Sequence, residues 1–171
     1  MKRLLTALAL IATMAFASHA QKAEFYVGYG GYTQMDASDC ADDWSTDNAW
    51  GAVTAGFNFN VAPKFSIGPS YTFSSQSLKH NDGNVYYHAL MLNAKYNYYR
   101  TSIFTLYAHV GLGAVISNIS PKHADSYTKG YFAYQVVPIG AQVSIARNVN
   151  MFGELGFGAQ GLLQVGFRFG I

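Results

Sequence analysis

From about residue 24 onward the chain alternates, position by position, between bulky apolar side chains and small or polar ones, and it does so almost to its end. Side chains of an extended strand point to opposite faces with period two, whereas a helix needs a period of 3.6. In KFSIGPSYTFSS, Phe65, Ile67, Pro69, Tyr71 and Phe73 alternate with Ser66, Gly68, Ser70, Thr72 and Ser74. In the terminal GLLQVGFRFGI a helix would leave Gly161, Gly166 and Gly170 as unexplained breakers. A strand instead puts Leu163, Val165, Phe167, Phe169 and Ile171 on one face and Leu162, Gln164, Gly166, Arg168 and Gly170 on the other.

The same pattern marks WGAVTAGFNFNV, VYYHALMLNAKYNYY, IFTLYAHVGLGAVI, YFAYQVVPIGAQVSIA, NMFGELGFGA and a first segment from Glu24 to Thr33. That makes eight strands with no helix-period segment between them. Their connections are of two kinds. Ala62 to Lys64, Arg100 to Ser102 and Arg147 to Val149 are tight turns, while Gln34 to Ala49, Ser77 to Asn84 and Asn118 to Gly130 are longer and polar. The last hairpin departs from this rule and turns near Gln160 and Gly161. Tight turns at one end and longer loops at the other predict an all-β, antiparallel, up-and-down transmembrane barrel. Pro69 and Pro138 lie inside strands, where each removes a ladder donor, so a bulge or local break is expected at one or both.

Which face is outside decides between a soluble barrel and a membrane one. Eight strands enclose a lumen only wide enough for side chains. The face rich in Gly, Ser, Thr and Asn therefore lines the lumen, and the bulky face of Tyr, Phe, Leu and Val meets lipid. Composition agrees: 16% of residues are aromatic and only 12% charged, about half the charged fraction of ordinary soluble domains. In hydrocarbon every backbone N–H and C=O needs a partner, which closure supplies. Trp50, Tyr86, Tyr98, Tyr99 and Tyr131 near strand ends fit interfacial girdles.

The first twenty residues, MKRLLTALALIATMAFASHA, carry Lys2 and Arg3, then an apolar run, then a small-residue cleavage site. They are expected to form a signal peptide, leaving residues 21–171 as one barrel domain exported to the outer membrane. Without Lys2 and Arg3 nine basic residues balance nine acidic ones, since 11 less 2 is 9. Nothing in that balance attracts nucleic acid. Cys40 is the only cysteine, so it has no internal disulfide partner and no second thiol with zinc spacing. No cofactor is expected.

These features resemble the small outer-membrane barrels of Gram-negative bacteria, the OmpA membrane domain and OmpX among them. QVGFRFGI is similar to the terminal signal that the barrel-assembly machinery reads: Gln164, Gly166 and Phe169 match, and Ile171 stands where the family usually has Phe. The resemblance implies that machinery as a partner, outer-membrane lipid and lipopolysaccharide as surroundings, a monomeric state, and an unknown ligand for the outer loops. No periplasmic peptidoglycan-binding domain is expected.

Three constellations remain. Glu24, Lys95, Glu154 and Arg168 are all assigned inward at the end where the termini lie, which predicts a lumen ion-pair network. Buried charges persist only when paired, so a structural plug is preferred over a gate. In the first loop, Asp36, Asp39, Asp42, Asp43 and Asp47 could supply hard oxygen donors to calcium. They lack EF-hand spacing and its glycine, so an acidic loop that is solvated, or that meets divalent ions bridging lipopolysaccharide, is the simpler reading. A lipid A-modifying enzyme would need His and Ser together with an orienting acid on the outer rim. His88 is assigned lipid-facing near the outer end, and His123, Asp125 and Ser126 share a loop, but neither set shows a deacylase His-x-Ser pattern on a strand; His109 is a packed lumen residue, so no enzyme is expected. A small-solute channel is the other alternative. Pores come with 16 or more strands, so "porin-like" describes ancestry better than transport.

Overall fold

The structure, a computed structural model, describes residues 23–37, 50–78, 83–121 and 125–171. The expected signal peptide lies outside the described residues, as do Asp39, Asp42, Asp43, Asp47, Cys40 and His123. The strands are β1 (Ala23–Gly31), β2 (Ala52–Ala62), β3 (Phe65–Ser77), β4 (Gly83–Arg100), β5 (Phe104–Pro121), β6 (Tyr127–Ala146), β7 (Val149–Gly158) and β8 (Leu163–Gly170). Each pairs antiparallel with the next, and β8 returns to β1, closing the barrel. The closing seam runs from Glu24↔Gly170 to Gly31↔Leu163.

Alternation is obeyed where the two faces differ in chemistry. On β8, Gln164 and Arg168 are buried while Leu163, Val165, Phe167 and Phe169 are exposed to the surroundings of the barrel. The faces of β2 to β5 sort the same way. Both proline expectations describe real irregularities. Val137 pairs with His109 and Gly140 with Tyr107, so β6 carries an extra residue at Pro138 and Ile139, and its register to β7 shifts there too. At Pro69 the pairing of β2 with β3 stops at Gly56↔Ser70 and resumes at Phe59↔Ile67 in the same register.

Several boundaries differ from expectation. β1 ends at Gly31, because Tyr32 takes a left-handed φ of 48° and turns the chain into a short helix, α1 (Gln34–Ala37). Thr33 starts it by donating its N–H (2.6 Å) and its hydroxyl (2.9 Å) to Asp36. β5 and β6 extend through part of the third expected loop. Leu162 is exposed in the β7–β8 turn, not inward. Tyr131 is no girdle residue: it packs inward against the lumen core.

That core has two storeys. At the turn end the inner side chains are polar and charged. At the loop end they are largely apolar, with Val85, Tyr87, Met91, Val115 and Ile119 packed under Met35 of α1 beside the buried polar side chains of Ser74, Gln76 and Ser117. Gln34 fixes the helix in place through the backbone of β6, donating to Phe132 O at 2.7 Å and accepting from Tyr134 N–H at 3.2 Å. It thus supplies part of what a neighbouring strand would supply where β7 has already ended, at Gly158 opposite Gln135.

Candidate functional site

The polar storey is built around Arg168, whose side chain is buried. It projects from β8 at the rung opposite Tyr26 of β1 and Asn150 of β7. Its Nη2 donates to Glu154 Oε1 at 2.7 Å and to the Tyr107 hydroxyl at 3.0 Å. Its Nη1 lies 3.9 Å from Glu24 Oε2. With the amide of Asn58 oriented to satisfy both ends, its oxygen accepts from Nη1 at 3.0 Å. The guanidinium also sits over three rings, 4.4 Å from the centroid of Phe152, 4.9 Å from Tyr107 and 5.3 Å from Tyr26. Such contacts favour a cation stripped of water.

All four charges expected in the lumen come together here. Lys95 Nζ donates to Glu24 Oε2 at 2.7 Å, so each carboxylate has its own cation and Arg168 touches both. The depth follows from counting along strands: Lys95 stands five residues before Arg100, and its rung neighbours are Ser66 and His109. The sequence does not point to Asn58, Tyr107 or Asn93 as partners, and it places His109 only as a packed lumen residue. Tyr107 donates to Glu154 Oε1 at 2.7 Å, and His109 sets Nδ1 3.2 Å from Glu154 Oε2 and Nε2 3.1 Å from Asn93 Oδ1. Asn93 in turn donates to Ser70 Oγ at 2.7 Å. The signal was available, because His109 lies five residues after Phe104 and so at the depth of Lys95 across the same turn.

The small inner residues make room for these crossings. A Cβ on Gly140 would lie 2.4 Å from the ring of Tyr107, and one on Gly56 would lie 2.7 Å from the ring of Tyr26. What space remains is minor. The void among Tyr26, Asn58, Asn93, Lys95, His109 and Arg168 measures about 10 Å³, at the lower limit for one water. On the turn side of the network a polar vestibule of about 460 Å³ opens outward, and Glu24 and Lys95 form part of its lining.

The sequence of the chain matches the model of the outer membrane protein beta-barrel domain over residues 4–159. The chain belongs to that family. Membership places the chain in the outer membrane; in such barrels short turns face the periplasm and longer loops face outward. No curated protein sequence matches it. Among solved structures it is similar to a de novo designed transmembrane β-barrel, at 14% identity and TM-score 0.51, covering 90% of this chain and 98% of that one. It is also similar to Ail, the attachment invasion locus protein of Yersinia pestis, at 12% identity and TM-score 0.50, covering 88% and 95%. Ail in a phospholipid bilayer nanodisc gives TM-score 0.53 at 12% identity, covering 89% of this chain and 100% of that one. A further structure holds Ail in complex with the heparin analogue sucrose octasulfate, at 11% identity and TM-score 0.51, covering 88% and 95%. At these identities the likeness is one of fold.

The other sequence-derived residues are spread through this outer membrane protein beta-barrel domain. Gln164 is buried in the lumen, Gly166 faces Gly28 across the closing seam, and Phe169 and Ile171 point outward at the end of the tight turns. Asp36 serves α1 and accepts from Gln76 Nε2 at 2.8 Å. Of the other residues weighed for catalysis, His88 meets the Tyr71 hydroxyl at 2.6 Å on the outer surface of the barrel. His109 is taken up by Glu154 and Asn93 as described.

Proposed function

We propose that this is a filled, non-conducting barrel whose work is done at the membrane and at its outer face: it supports envelope integrity and makes contacts through its outward loops. The observation that carries this reading is the double closure of the lumen. An ionic plug around Arg168 leaves about 10 Å³ of space, and an apolar storey under Met35 lies above it. A solute would have to break both. The plug is structural in this reading, because Glu154 and Arg168 are each held by several partners at once.

The outer segments carry Asp36, Asp39, Asp42, Asp43, Asp47, Asp82 and Asp125 against Lys79, Lys122 and Lys129. An acidic balance of this kind in the outer segments repels polyanions unless divalent cations bridge them. That argues for contact with ion-bridged lipopolysaccharide, and against the kind of sulfated ligand seen with Ail. Export by residues 1–20, delivery through the terminal strand to the assembly machinery, a monomeric state and the absence of enzymatic activity belong to the same proposal.

Deletion of the gene is expected to sensitise cells to detergents and large hydrophobic antibiotics, with the lipid A mass spectrum unchanged. A shifted lipid A mass that depended on His88 would overturn the non-enzymatic part. Unchanged envelope sensitivity, together with unchanged binding after removal of residues 38–49, would overturn the rest.

A further inference from the structure

On the lipid-facing surface of β3 the residues change character over one step. Tyr71 and Phe73 are aromatic, whereas Ser75 and Ser77, next on the same face, carry hydroxyls. Ser75 pairs with Tyr86 and Ser77 with Asn84 across β4. These two rungs are the floor of a cleft of about 260 Å³ that Trp50 walls at the start of β2. Trp50 is pinned there, its Nε1 donating to Ser75 Oγ at 2.8 Å while its backbone oxygen accepts from the Tyr29 hydroxyl. Tyr86 is backed by Phe73, with ring centroids 6.4 Å apart and nearly parallel. Trp50 and Tyr86 nevertheless remain 48% and 40% exposed. Among the described residues, the side chains of Ser77 and Asn84 make no hydrogen bond.

We infer that this cleft binds a sugar ring of lipopolysaccharide, held laterally at the outer hydrocarbon boundary. The inference rests on the outer-face reading above and assigns it a site. Two exposed aromatic rings beside a free amide and a free hydroxyl match a pyranose, which offers a flat C–H face and a hydroxyl edge. The switch from Phe73 to Ser75 places the cleft at headgroup depth, where aromatic residues with one wet end are favoured. Ser75, Ser77, Asn84 and Tyr86 lie on the outward face of β3 and β4, which favours a lipid-borne headgroup as the occupant. The cleft lining carries no charge, which favours a sugar ring over a phosphate. Its volume suits one ring better than a drug-sized ligand.

The test uses the full chain with Trp44→Phe, which leaves Trp50 as the only tryptophan, refolded into phosphatidylcholine nanodiscs. Addition of rough lipopolysaccharide is expected to shift the Trp50 emission saturably, and Asn84→Ala or Ser77→Ala to weaken half-saturation about fivefold, the worth of one hydrogen bond. A purely interfacial anchor would need the aromatic rings alone. Half-saturation unchanged from the parent in both polar variants, no saturable shift, or the same shift with free maltohexaose would overturn the assignment. A heat-shifted gel band checks folding of each variant. Because the readout is binding, it can fail while the deletion phenotype of the proposed function stands, and the reverse also holds.

Discussion

Arg168→Ala is expected to destabilise the folded barrel by about 3–5 kcal/mol, the range for leaving one member of a buried ion pair without its partner. Glu154 loses the contact at 2.7 Å and Tyr107 loses a donor at 3.0 Å, while both remain shut away from water. Three aromatic rings also lose the cation packed over them. Lys95→Ala should cost less, because Glu24 is partly exposed at the vestibule and keeps Arg168 at 3.9 Å. The double variant Arg168→Met, Glu154→Gln should recover most of the loss, since the pair then costs no charge burial. Urea titration in detergent, followed by the heat-shifted band on gels, measures all three. Unchanged resistance in both Arg168→Ala and Glu154→Ala would contradict the network account.

The second large effect concerns backbone spacing. A Cβ added at Gly113 would lie 1.9 Å from the carbonyl oxygen of Leu90 and 2.7 Å from Cα of Met91 on the neighbouring strand. Neither atom belongs to a flexible side chain, so β4 and β5 would have to separate where they pair. Gly113→Ala is therefore expected to lose at least about 3 kcal/mol, the upper end of ordinary overpacking. Gly153→Ala is the matched control, because nothing lies within 4 Å of its Cβ position. It should fold as the parent does, so the same gel assay separates steric conflict from a general loss of glycine.

How much of this was readable in the sequence depends on contrast between the faces. On β8 the contrast is strong, and the outward phenylalanines and inward Arg168 are legible from the residues alone. In the outer half of β4 both faces are apolar: Val85, Tyr87, Ala89 and Met91 point inward beside outward Tyr86, Leu90 and Leu92. Period two still operates there, but it carries no chemical signal, so the apolar storey was hidden. Tyr131 reads as a girdle residue for the same reason, being a large aromatic among aromatics, although it packs inward. Helix α1 is only four residues long and is held by tertiary bonds from Gln34 and Asp36, which no local period reveals. The four charges were legible because each sits at a countable distance from a turn. Tyr107 and Asn93 were not, since an uncharged residue on a lumen face gives no hint that it completes a charged cluster.

The most direct test of the filled lumen is conductance of the refolded chain in planar lipid bilayers. The double closure predicts a flat baseline, for the parent protein and for the Arg168→Met, Glu154→Gln variant alike, because the storey under Met35 stays shut when the charges are gone. Reproducible, equal-sized openings in the parent protein would contradict it, and would turn the ionic cluster from a plug into a gate.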